Sequence, residues 1–113
     1  MLPRIKRIET GKIHVNEDVV TNDFFLHVGG IEHLEKTSKI TMKEFDKMLL
    51  HEPETAIVGT GFKGRLSVSQ EVMSAAKKSN IDLQLLRTPD ALRKFQELAR
   101  NGRKVVAHIN VNE

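Results

Sequence analysis

Residues 57–64 read IVGTGFKG, and whether this run is a nucleotide-binding loop or a structural turn decides the fold. Gly59, Gly61 and Gly64 match the G-x-G-x-x-G spacing of dinucleotide-binding proteins. In such a loop the glycines occupy the strand-to-helix turn and the first helical turn, so that the helix N-terminus faces pyrophosphate. Here Arg65-Leu66-Ser67 separates Gly64 from the next helical pattern, and Leu66 and Val68 alternate with polar residues as extended chain does. A carboxylate at the end of the following strand is also required, to hold the ribose hydroxyls. That strand ends at Leu86-Arg87-Thr88, and Asp82 stands at its opposite end, roughly 13 to 16 Å away at about 3.3 Å per residue. A P-loop fares no better, because Lys63 precedes the last glycine and no Lys-Ser/Thr pair follows. No nucleotide cofactor is expected. The glycines are read instead as backbone devices: Thr55–Val58 is a short buried strand that must turn sharply, and Gly59 or Gly61 is expected at positive φ.

Working outward, the chain alternates between helical and strand periods. Thr41 and Glu44 form a capping box, and Met42, Phe45, Met48 and Leu49 recur at helical spacing, so a short helix is expected to run to about Leu50, with Pro53 ending it. A helix is expected around Gln70–Ser79, capped by Ser67 or Ser69, with Val72, Met73 and Ala76 on its apolar face. Ile81–Leu86 reads as a strand. Thr88-Pro89-Asp90 starts another helix, with Thr88 as N-cap and Pro89 at the first helical position; Leu92, Phe95, Leu98 and Ala99 form its stripe. Gly102 supplies a C-terminal cap, and Lys104–Val111 is the last strand. Upstream, Ile5–Val15 and Phe24–Leu34 read as hairpins turning at Thr10-Gly11-Lys12 and Gly29-Gly30. The β-α-β-α-β order of the second half predicts an α/β fold with helices covering a sheet.

At 113 residues the chain fits a single domain spanning residues 1–113. Cysteine is absent, which excludes disulfides, thiolate metal sites and cysteine nucleophiles. Without Trp or Tyr, stacking platforms for single-stranded nucleic acid are lacking. No apolar run is long enough to cross a bilayer and MLPRIKRIET lacks a secretory h-region, so a cytoplasmic protein without membrane contact is expected. Residues 1–56 carry eight Lys/Arg against ten Asp/Glu, and residues 57–113 carry ten against five. The basic second half includes Arg93, Lys94, Arg100, Arg103 and Lys104, but no DNA- or RNA-binding motif accompanies them, and they are read as a solvated face.

Three runs carry a family resemblance. VGTG at Val58–Gly61 after Pro53-Glu54, the Thr88-x-x-Ala91 helix start and GRKVVAH at Gly102–His108 resemble a small uncharacterised α/β family. It includes the adipogenesis-associated domain proteins and the mitochondrial respiratory complex I assembly factor 3. The resemblance covers nearly the whole chain. It implies a three-layer single domain with a mixed central sheet, helices on both faces and a small additional antiparallel β layer, and it implies no catalytic residue. Where relatives have Asn after the aromatic residue of the last helix, this chain has Phe95-Gln96.

The remaining candidates are weak singly. His14, His27, His33, His51 and His108 show no compact ligand spacing, so no metal site is expected; His108 is read as a hydrogen-bonded sheet residue. Ser67, Ser69 and Ser74 lack a nucleophile elbow and read as caps or helix surface. If the strands at Thr55–Val58 and Ile81–Leu86 are parallel neighbours, Gly59, Thr60, Gly61 and Lys63 come near Arg87 and Thr88. Open α/β sheets place ligands there, and a small anion is the expected guest. Two function classes stay open: a non-catalytic protein-interaction or assembly-factor-like module, self-associating or binding another protein, and a small-anion or metabolite-binding protein, as a binder or an enzyme.

Overall fold

The strand before the glycine run, Thr55–Gly59, lies at the heart of the molecule with all five residues buried. The structure, a computed structural model, describes residues 2–112. In chain order the elements are β1 (Ile5–Glu9), β2 (Lys12–Val15), β3 (Asp18–Val20), β4 (Phe24–His27), β5 (Gly30–His33) and β6 (Lys39–Ile40), followed by α1 (Met42–Leu49). Then come β7 (Thr55–Gly59), β8 (Ser67–Val68), α2 (Gln70–Lys78), β9 (Asp82–Leu86), α3 (Thr88–Arg100) and β10 (Val105–Ile109).

The central sheet has the order β5-β4-β10-β7-β9. β7 runs parallel to both β9 and β10, whereas β4 pairs antiparallel with β10 and with β5. The sheet is therefore mixed. The parallel strands β7 and β10 are covered on both faces and read as apolar runs, because no side of them meets water. On one face Ile57, Ala107 and Ile109 pack with Leu92 and Phe95 of α3 and with Ile13, Val15 and Val20 of the β1-β2-β3 meander. On the other, Ala56, Val58 and Val106 pack with Phe45 and Met48 of α1 and with Val72 and Ala76 of α2. Alternation along each strand thus feeds two separate cores.

Local chemistry sets the helix starts. Glu44 accepts hydrogen bonds from the Thr41 backbone N–H and hydroxyl, both at 2.7 Å, and closes the expected capping box. Ser69 caps α2 by accepting from Val72 N–H at 3.3 Å. At α3 the expected N-cap is corrected by one residue: Arg87 is the N-cap and Thr88 is already helical. The Thr88 hydroxyl is drawn away by tertiary partners, described below. Three strands were not foreseen. β3 completes the meander, and β6 and β8 form a separate parallel pair.

Candidate functional site

Both candidate sites lie where the strands β7, β9 and β10 end. β7 and β9 are parallel neighbours, with Gly59 opposite Leu86, so the topology does bring Gly59, Thr60 and Gly61 to Arg87 and Thr88. The contacts made there are internal. The backbone N–H and the hydroxyl of Thr60 both donate to Leu86 O, at 2.8 and 3.1 Å. Gly61 N–H donates to the Thr88 hydroxyl at 3.0 Å, and Gly61 O accepts from Thr88 N–H at 3.1 Å. Thr88, wholly buried, donates its own hydroxyl to Asn110 O. The backbone N–H groups of Thr60, Gly61 and Thr88 and both threonine hydroxyls are thus engaged within the fold.

The glycines divide the work of the turn. Gly61 has φ +101°, a region where a side chain is strained. Gly59 is required for space: a Cβ there would lie 3.1 Å from Ile109 Cδ1, 3.2 Å from Thr88 Oγ1 and 3.3 Å from Ala91 Cβ. Lys63 is exposed at the tip. Arg87, also exposed, lays its side chain against Gly64, 3.4 Å from where a Cβ would stand.

A second cluster, scattered in sequence, gathers beside this turn. Asp23 immediately precedes β4, His108 lies within β10 and Asn110 follows it. The antiparallel register that sets Ile109 against Phe24 brings them together. Asp23 is fully buried and His108 is 2% exposed. The carboxylate accepts from Asn110 Nδ2 at 3.1 Å, from Thr37 N–H at 3.2 Å and from His108 Nε2 at 3.1 Å. Because a carboxylate receives protons, the ring donates through Nε2, and in the neutral ring Nδ1 is left as an acceptor. Asp23 is the only hydrogen-bond partner of the ring among the described residues, and no buried side-chain nitrogen there lacks a partner. Nδ1 therefore faces the open space that His108 lines.

That space is a cavity of about 370 Å³ between α1 and the segment from Glu32 to Thr37, with Phe25 and His108 as its floor. Glu44 forms part of the α1 wall. Burial pushes its carboxyl up, but the hydrogen bonds from the Thr41 backbone and hydroxyl, with one from its own backbone N–H, outweigh burial and leave it below the ordinary value. Asn110 joins the two sites: its N–H donates to Gly59 O at 3.0 Å, its carbonyl receives Thr88 and its side chain holds Asp23. The expected hydrogen bond of His108 is present, but its partner lies 85 residues away in sequence. Asp23, Thr37 and Asn110 were not identified from the sequence. The readable trace was His108 and Asn110, two polar residues two apart at the end of an otherwise apolar strand.

The other charged groups read as surface. His27 and His51 stack at 4.6 Å beside Phe25, and His14 bonds Glu9 at 2.9 Å. Among the described residues no group of three or more His, Asp or Glu is placed to hold a metal ion. On α3, Arg93 pairs with Asp90 at 3.2 Å and Lys94 with Glu97 at 3.9 Å, as a solvated helix face does. Among the described residues no helix is long and apolar enough to cross a membrane.

This arrangement, one mixed sheet with α1 and α2 on one face and α3 with a meander on the other, is the Mth938-like α/β fold. The chain belongs to the DUF498/DUF598 family of proteins of unknown function, whose model matches residues 5–109. A conserved hypothetical protein of Pyrococcus horikoshii is similar at 22% identity, with 97% of this chain and 99% of that one covered and a TM-score of 0.86. A Mth938-like domain of Bordetella pertussis shares 17% identity over 97% of this chain and 86% of its own, with a TM-score of 0.79. A Xanthomonas campestris protein gives 19%, 98% and 86%, with a TM-score of 0.83. No curated protein matches the chain.

Proposed function

We propose that the protein binds a small polar molecule in the cavity between α1 and the Glu32–Thr37 segment. The observation that carries this reading is the buried Asp23–His108–Asn110 network, which presents one imidazole nitrogen to that cavity. Placing a carboxylate and an imidazole inside a sheet costs several kcal/mol, and well-packed apolar residues serve stability at least as well. A network of this kind is favoured where its exposed atom has work to do. The cavity volume, about 370 Å³, lies in the range of small-ligand sites. By contrast, the GTG turn spends its donors on its own fold, so an anion seated there by Lys63 and Arg87 is the weaker version of the same proposal.

The test is a metabolite panel screened by thermal shift on the wild type and on His108→Gln. A ligand at 100 times its dissociation constant adds about 2.7 kcal/mol of stability. The shift should appear in the wild type and shrink in the variant. Ligands that stabilise both proteins equally, with backbone shifts confined to Gly59–Gly61, move the site to the turn.

A second reading, a protein-interaction module in the manner of the assembly factor that the sequence resembles, is favoured by a different surface. Leu50 is 82% and Val28 45% exposed, and they adjoin His51 and His27, whose rings stack. Leu50→Asp should abolish capture of a partner that Leu2→Asp leaves intact; equal capture by both removes this surface from consideration.

A further inference from the structure

The cavity has two walls of opposite charge. From α1 come Lys43 and Lys47, one turn apart and so on one side of the helix. From the strand and loop across the cavity come Glu32 and Glu35. Neither these lysines nor these glutamates form an ion pair with any described residue. The third acid, Glu44, is held by the helix cap. Two lysines on one wall face two glutamates on the other, so these four side chains bring no net charge to attract a simple anion or a simple cation. They give the cavity a direction instead. A ligand with both charges gains at each end, whereas a ligand with one charge gains at one wall and is opposed by the other.

We infer that the cavity receives a small zwitterion of the α-amino acid class, its carboxylate toward Lys43 and Lys47 and its ammonium toward Glu32, Glu35 and His108 Nδ1. This rests on the reading of the cavity as a ligand site and adds the chemical class. His108 supplies the element that surface charges lack. Its ring is almost wholly buried and is fixed by Asp23, so its acceptor nitrogen keeps one direction and can choose a donor by geometry. The apolar floor at Phe25 leaves room for an aliphatic substituent on the ligand.

Full-length ¹⁵N-labelled protein titrated with leucine, serine and alanine provides the test, with 4-methylpentanoate and isoamylamine as the probes that lack one charge of leucine. The readouts are the ring nitrogens of His108 and the dissociation constant. At least one amino acid should shift Nδ1 saturably, and each singly charged probe should bind at least tenfold more weakly than leucine. Lys43→Gln with Lys47→Gln should weaken binding by tenfold or more at unchanged melting temperature, since both side chains are exposed. A singly charged probe that binds as tightly as leucine, or a double variant that binds like the wild type, overturns the zwitterion and leaves the cavity a ligand site of another class. Silence of the His108 ring toward every amino acid also overturns it. If the broader metabolite panel is silent there as well, the cavity reading falls too.

Discussion

The two polar regions at the end of the central sheet are built from similar parts and do opposite things with them. In the GTG turn, Thr60 and Gly61 direct their N–H groups to Leu86 O and Thr88 Oγ1, and the turn closes on itself. In the Asp23 cluster, every group is held except one ring nitrogen, which faces a cavity. Motif spacing alone favours the turn as a binding site. Hydrogen-bond accounting favours the cluster, because a donor already paired inside the fold has little left for a ligand. Asn110 is bonded to both regions, so disturbance of one can be read at the other.

Removing Asp23 should break the comparison most severely. Asp23→Ala takes the acceptor from the Thr37 N–H and the His108 ring at a fully buried point and leaves the Asn110 amide with Thr37 O alone. A loss of about 3 kcal/mol or more in urea denaturation is expected. Asp23→Asn keeps the shape and an acceptor oxygen and should lose less. If Asp23→Ala retains wild-type stability, the network is not the constraint described here.

Next come the glycines, which separate space from backbone conformation. Gly59→Ala must displace Ile109 or Thr88, contacts at 3.1 and 3.2 Å, and should cost about 1–3 kcal/mol. Gly61→Ala must adopt φ near +101° and should cost about 1 kcal/mol or more. Because they act through different atoms, shortening Ile109 to Val should partly rescue Gly59→Ala and leave Gly61→Ala unchanged. Thr88→Val, of nearly equal volume, strands Gly61 N–H and should cost about 1–3 kcal/mol, while Thr88→Ser should restore most of it. Equal stability of the Val and Ser variants would show that the hydroxyl is not what ties the turn.

What could be read from the sequence follows the range of the interactions. β7 and its stop were legible because the apolar run and the glycines that end it are adjacent, and the capping box of α1 spans only three residues. The start of α3 was misplaced by one residue because a local rule makes Thr88 a cap, whereas its hydroxyl serves Gly61 and Asn110 across the fold. β3, with three residues, and β6 and β8, with two each, are too short to show a period. The Asp23–His108 contact was beyond reach, since it depends on the register of β4 against β10. The GTG candidates were correctly brought together by topology, but only the bond pattern shows how their donors are used.

A smaller effect sharpens the contrast between a held imidazole and a surface one. Burial holds His27 below its ordinary value, the charge of His51 pushes it further the same way, and Glu32 opposes both. As pH falls past about 6.5, the ordinary histidine value, the unfolded chain takes up this proton before the folded one does. Its contribution to stability is therefore fully present above about 6.5 and is lost as pH falls from there to the lower folded value. Protonation also competes with the bond that His27 Nδ1 accepts from Gly29 N–H at 3.1 Å. The urea midpoint of His27→Ala should depend less on pH between 8 and 5 than that of the wild type; an identical dependence would assign the slope to other groups.

The smallest expected effect tests the turn itself. Lys63 is exposed and stands on the tip of a loop whose shape is fixed by Gly59, Gly61 and Thr88 beneath it. Lys63→Ala should change stability by less than about 0.5 kcal/mol, since no buried contact depends on it. The same variant decides whether the turn is also a receptor. Phosphate titrated into the wild type should leave the amides of Thr60 and Gly61 unmoved, because both already donate within the fold. If those amides shift saturably in the wild type and not in Lys63→Ala, the turn releases its internal bonds to hold an anion. The contrast between a closed turn and an open cluster would then have to be given up in favour of two ligand sites joined through Asn110.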